Sequence, residues 1–157
     1  MNHLAIYNTK AYGDDYIALM LQGSKTIDSK FSYRKTAPYQ RLQPGDVIYL
    51  KESSGPIRGR VFVTQVVHDV LETPDEVLSY LAPQYKALGI KNEAHLMKVW
   101  EAQAEKRYVC QWHMDNPQVL HEPANIIKRD MRSWVVDYDL PEHVVLAFQA
   151  QYGIASQ

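Results

Sequence analysis

Cysteine is all but absent. Cys110 stands alone in 157 residues, so no intramolecular disulfide can form, and a reducing, cytosolic setting is the expectation. Long apolar runs are missing too. Nothing in the chain approaches the ~20 residues that span a bilayer, and the opening MNHLAIYNTK lacks the charged-then-apolar layout of a secretory leader. No membrane partner is therefore expected. The six histidines (His3, His68, His95, His113, His121, His143) show no metal spacing, and Cys110 and His113 fall on opposite faces of a strand. That excludes the usual zinc patterns, and no metal is expected. A G-x-S-x-G elbow, a phosphate loop and a dinucleotide fingerprint are also wanting, so no cofactor is expected. Without repeats, low-complexity tracts or a linker, residues 1–157 read as one domain.

What the chain does have is ordinary globular composition, 46% hydrophobic and 22% charged. The net charge of −1 does not point to nucleic acid, but its distribution is uneven. Residues 1–66 carry 9 Lys and Arg against 5 Asp and Glu, a net of +4; residues 67–157 carry 8 against 13, a net of −5. Such asymmetry can steer a polyanion to one face. The positive charge concentrates in residues 23–59, where Lys25, Lys30, Arg34, Lys35, Arg41, Lys51 and Arg58 face only Asp28, Asp46 and Glu52. Phe31, Tyr33, Tyr39 and Tyr49 are interleaved with these charges. Pro38-Tyr39, Pro44-Gly45-Asp46 and Gly55-Pro56 punctuate the segment, which reads as strands and turns around a ligand groove.

In chain order, residues 3–8 alternate as a first strand. Residues 13–22 place Tyr16, Ile17, Leu19, Met20 and Leu21 at helical spacing, and Gly23 sits where a left-handed cap ends that helix. Residues 24–33 then form a strand. In a regular strand Lys25 and Asp28 point to opposite faces, so both reach one ligand only if the strand starts late or is bulged. Residues 47–51 and 59–70 are further strands, the second dense in β-branched residues. Thr73-Pro74-Asp75-Glu76 opens a helix that stops near Pro83, and residues 92–105 form another with Leu96, Val99 and Trp100 buried. Residues 107–114 and 132–138 return to strand. A last helix opens at residues 139–142, buries Val144, Val145 and Phe148, and ends at Gly153.

The run Gly23-Ser24-Lys25-Thr26-Ile27-Asp28-Ser29-Lys30 is similar to the G-x-K-x-x-E-x-R signature of ASCH domains, within the PUA-like superfamily. The resemblance continues through Phe31-Ser32, Ala37-Pro38-Tyr39, Gly45-Asp46, Leu50-Lys51 and Ser54-Gly55-Pro56-Ile57. It is dense over residues 4–66, fainter at 132–136 and absent from 70–106. Asp28 replaces the signature Glu and Lys30 its Arg, keeping charge sign but losing the guanidinium's planar fork. The resemblance implies an α+β fold, a PUA-like mixed β-barrel with flanking helices and a helical insertion at about 73–106. It also implies recognition of RNA, another nucleic acid or a nucleoside, in a cleft between the end of the first helix and residues 30–41.

The residues that would serve such a site are Lys25, Asp28, Lys30, Ser32, Arg34, Tyr39, Lys51, Ser53, Gly55 and Arg58. Tyr33 and Tyr39 offer stacking faces or pack into the barrel end, and the turn of Ser53-Ser54-Gly55 offers backbone donors to an anion or is a plain hairpin. A rival reading is an enzyme, a nuclease or a hydrolase of acylated nucleosides, in which Lys25 and Asp28 are catalytic. Lysine among other cations would then act as base or nucleophile. The superfamily's N4-acetylcytidine hydrolases are similar here, but Asp28 stands where they have Thr, and residues 84–86 offer no equivalent of their Glu. A third reading is a protein-interaction module that docks through residues 74–105. Oligomeric state is not legible.

Overall fold

The computed structural model describes residues 1–9, 14–128 and 131–153. Gly13, expected to begin the first helix, lies outside them. Six strands and four helices follow in the order β1 (Asn2–Tyr7), α1 (Tyr16–Leu21), β2 (Ile27–Ser32), β3 (Val47–Glu52), β4 (Ile57–Val70), α2 (Pro74–Leu81), α3 (Glu93–Gln103), β5 (Tyr108–Ala124), β6 (Trp134–Val135) and α4 (Glu142–Tyr152). The strands form one mixed sheet in the order β2-β5-β4-β3-β1-β6, in which β1 and β3 run parallel and the remaining neighbours antiparallel. The sheet curls into a half-barrel with β2 and β6 as its edges.

Curling is built into the antiparallel β4–β5 pair. Its register shifts between Ile57 and Gly59, Arg60 and Phe62, and Val63 and Gln65, and each such irregularity adds twist and bend. Gly59 lies at one of these points because nothing larger fits. A Cβ there would meet the Gln118 carbonyl oxygen at 2.5 Å and Leu21 Cδ2 at 2.6 Å. The concave side is filled by Ala5, Ile17, Leu50, Val61, Cys110, Trp112 and Trp134, with α1 as its plug. A second core, Ile27, Phe31, Leu71, Val77, Leu81, Leu88, Ile90, Leu96 and Val109, fixes α2 and α3 against β2 and β5. The third packs α4, through Val144 and Phe148, on Leu4, Tyr49 and Ile57.

Local chemistry explains the helix ends. Thr73 accepts from the Glu76 amide and Asn92 from the His95 amide, each satisfying a donor that the first helical turn leaves open. Gly23, at φ +81, ends α1: its amide bonds the Met20 carbonyl while the Ser24 amide bonds that of Leu19, the paired pattern of a left-handed helix stop. Gly153, at φ +85, ends α4.

Candidate functional site

The turn after α1 determines where Lys25 goes. The Lys25 amide bonds the Leu19 carbonyl alongside that of Ser24, which holds residue 25 to the helix end, and β2 begins only at Ile27. This late start brings Lys25 and Asp28 to the same side: Lys25 Nζ lies 3.1 Å from Asp28 Oδ1. The ammonium also donates to the carbonyls of Ile27 and Leu88, so its three N–H groups all have acceptors, and it sits 5.1 Å over the Tyr16 ring. Lys25 is only 4% exposed. Asp28 accepts from the Ser29 amide at 2.9 Å on Oδ1 and from the Tyr7 hydroxyl at 2.6 Å on Oδ2. Burial and then the Asp28 charge push the Tyr7 phenol well above its ordinary range, so it stays a donor.

Tyr16, Lys25, Asp28 and Ser29 of this cluster line a cavity of about 720 Å³ between α1, the β2 edge and α3. That is within the size range of small-molecule sites. Phe31, Leu81, Leu88, Ile90, Val99 and Ala102 supply its apolar surface. Its charged lining residues are Asp14, Lys25, Asp28, Lys91 and Lys98, with His95 beside them. Lys91 pairs with Asp14 at 2.7 Å and Lys25 with Asp28, so Lys98 is the lysine of the lining without an ion pair among the described residues. The cavity thus combines apolar walls, a hydrogen-bonding carboxylate and one uncompensated positive charge.

The remaining sequence candidates are placed elsewhere. Lys30 shares its face of β2 with Asp28 but does not line the cavity; it donates to Ser133 Oγ at 2.6 Å, and burial lowers its pKa, Asp28 raises it and Lys106 lowers it further. The Ser32 hydroxyl donates to the Arg34 carbonyl, and Arg34 itself projects from the exposed loop after β2. Tyr39 is no open stacking face: it is 8% exposed, wedged between His68 and Tyr108, with the Gln40 amide bonded to His68 Nδ1. Lys51 turns inward and donates to the Glu52 carbonyl; burial and then the charge of Lys128 lower its pKa. The Ser53 and Gly55 amides are taken up by the Tyr7 and Glu52 carbonyls, which makes that turn a plain hairpin. Arg58 Nη1 reaches both carboxylate oxygens of Asp15, at 2.9 and 2.7 Å, and Glu52 at 3.1 Å, so its charge is neutralised internally. Of the sequence candidates, Lys25 and Asp28 line the cavity; its far wall is α3, not residues 30–41.

Nor do neighbouring cations surround Lys25. Its partners are Asp28, two carbonyls and the Tyr16 ring, the opposite of what activating a lysine by like charge requires. Cys110 lies fully buried, and burial followed by the Asp28 charge pushes its thiol up to about 12, so no thiolate forms near neutrality. Gln84, in the stretch without a carboxylate, is tied to Gln111.

Tyr16, His95, Lys98, Ala102 and Gln103 line the cavity without having been singled out in the sequence. A signal existed. His95, Lys98 and Ala102 are spaced by three and four, one face of a helix, adjacent to the buried face of Leu96, Val99 and Trp100.

No family model and no curated protein matches the sequence. Among solved structures, the ASCH protein of Zymomonas mobilis superposes with a TM-score of 0.62 at 9% identity, over 95% of this chain and 94% of that one. A tyrosine-to-phenylalanine variant of the same protein gives 0.62 at 11% identity, over 95% and 96%. A serine-to-alanine variant gives 0.60 at 9%, over 96% and 95%. The chain therefore has the ASCH-domain fold, in agreement with the resemblance at residues 4–66.

Proposed function

We propose that the protein binds RNA as a PUA-like module, accepting one nucleotide in the cavity between β2 and α3. The observation that carries this reading is the lining itself. A flat, apolar base needs apolar walls and a few fixed polar groups, and a single phosphate needs one free cation; Phe31, Leu88, Val99, Asp28 and Lys98 supply these together. Asp28 is poised to read the base. A carboxylate has about four acceptor positions, and Lys25, Ser29 and Tyr7 fill three of them. The position left on Oδ2 suits the exocyclic amino group of adenine or cytosine. Lys25 acts here as a positioning residue, since it anchors Asp28 and has no N–H to spare. The ASCH fold gives the reading its context: an RNA-binding role is what PUA-like folds of this type suggest.

Titration with nucleoside 5′-monophosphates and a short single-stranded RNA, at three salt concentrations, tests the proposal. Saturable binding of AMP and CMP, weaker binding of UMP, and recovery of every ligand chemically unchanged are expected. Conversion of ligand to product, abolished in Lys25→Ala, would instead establish the enzyme reading. Failure of all ligands to bind at low salt would overturn the proposal and favour a module that binds protein.

A further inference from the structure

From both walls of the cavity the chain continues onto one patch of surface. The β2 wall, Ser29 and Phe31, continues through Ser32 to Tyr33, Arg34 and Lys35. The α3 wall, Lys98, Ala102 and Gln103, ends in a turn in which the Lys106 amide bonds the Gln103 carbonyl, and Arg107 follows. The Arg107 amide bonds the Ser32 carbonyl at 2.9 Å, so the two segments lie side by side. Tyr33 is 60% exposed, and Lys106 Nζ stands 4.3 Å over its ring; Lys35 Nζ lies 5.9 Å over that of Tyr108. Arg34, Lys35 and Arg107 are exposed. Among the described residues no carboxylate is within ion-pairing distance of Arg34, Lys35, Lys106 or Arg107, although Glu105 adjoins Lys106 in the chain and Glu72 follows Leu71, whose amide bonds the Arg107 carbonyl.

Other cations are paired: Lys25 and Arg58 of the basic segment, and Lys91 beyond it, are each neutralised by a neighbouring carboxylate. Four cations without an ion pair among the described residues, on two adjoining segments that lead from residues lining the cavity, with one of them over an exposed aromatic ring, keep a standing demand for anions. We propose that this surface is a track for single-stranded RNA leading out of the nucleotide cavity: Arg34, Lys35, Lys106 and Arg107 hold successive phosphates, and Tyr33 stacks on a base beside the one in the cavity. The combination of a cationic groove with a stacking aromatic is that of single-strand binding. The proposal rests on the cavity taking one nucleotide, and extends it to the strand that nucleotide belongs to.

A labelled ten-nucleotide single-stranded RNA and AMP are titrated against the full chain and three variants, Tyr33→Ala, Arg34→Gln/Lys35→Gln and Lys106→Gln/Arg107→Gln. Each double variant is expected to flatten the log–log salt slope for the decamer by about 1.4, at roughly 0.7 for each phosphate no longer neutralised. Tyr33→Ala should weaken the decamer roughly 5- to 150-fold without changing that slope, because stacking releases no counterions. AMP should bind all of them within about twofold of the parent. Decamer binding that ignores all three variants, with AMP still bound, overturns the track and leaves the cavity reading standing. Decamer binding that responds to them while AMP fails to bind supports the track and removes the cavity. A duplex bound as tightly as the single strand, with the same losses, overturns the single-strand assignment; loss of both ligands from the parent overturns both readings.

Discussion

Replacing Lys25 by methionine isolates what the buried ion pair contributes. The thioether keeps most of the alkyl stem, whose Cδ would stand 3.3 Å from a Cβ at Gly89, so packing changes little and the loss is polar. What remains is two carbonyls, of Ile27 and Leu88, without their donor, and Asp28 without its counter-charge. Removing one member of a buried pair costs about 3–5 kcal/mol. Asp28 keeps the Tyr7 and Ser29 hydrogen bonds and is slightly more exposed than Lys25, with side chains at 14% and 4%, which places the expectation at the lower end, about 3 kcal/mol. For a chain of this size that is a fall in Tm of roughly 6–12 °C. Urea unfolding at pH 7 with an unchanged m-value measures it, and the cycle with Asp28→Asn should show a coupling of at least about 1 kcal/mol. A loss under about 1 kcal/mol, the range of exposed pairs, or strict additivity in the cycle would refute the claim that this pair holds the site together.

Gly23→Val forces a β-branched residue to φ +81, and since the site has open space around a Cβ the cost should be backbone alone, roughly 1–2 kcal/mol in urea melts; an unchanged Tm would mean that α1 ends by another device. Gly59→Ala has no such space, because the Gln118 carbonyl cannot move as the Leu21 tip can, and about 1–3 kcal/mol is expected. Stability should also fall on acidification. His3 is fully buried: it accepts from Trp134 on Nδ1 and donates from Nε2 to Asp46, and burial, outweighing Asp46, holds its pKa below 6.5. The unfolded state therefore binds the proton first, so this contribution is complete above about pH 6.5 and declines as the pH drops towards the folded value, by at most about 1.4 kcal/mol per pH unit. Burial acts against Asp46, but hydrogen bonds from His3 and the Gln43 amide hold it below its ordinary 3.8, which adds a second decline at more acid pH. Urea midpoints between pH 7.5 and 5 should shrink less in His3→Gln; an equal decline in both proteins would exclude His3 as the source.

Much of the scaffold was legible because single residues dictated it. Thr73 with Pro74, Asn92, Gly23 and Gly153 fix helix ends through local hydrogen bonds or a φ that other residues resist, and local rules suffice to find them. The length of β5 was not legible. The expected strand ends at residue 114, yet β5 continues to Ala124, because Asn116 adopts φ +47 inside a register shift that leaves Pro117 outside the ladder. The site was half legible. Lys25 and Asp28 belong to one short stretch whose geometry a cap and a strand determine. The fates of Arg58, Lys51 and Tyr39 depend on Asp15, on strand parity and on His68, partners fixed only once the sheet curls. The cavity's other wall comes from α3, some seventy residues on, which no local pattern connects to Asp28.

A crystal structure with AMP bound tests the central claim most directly. The adenine amino group is predicted within hydrogen-bond distance of Asp28 Oδ2, the ring between Phe31 and the Leu88–Ile90 wall, and the phosphate towards Lys98. Nucleotide bound at residues 33–42 or at the hairpin turn of residues 52–56, with the space between β2 and α3 empty, would contradict the account.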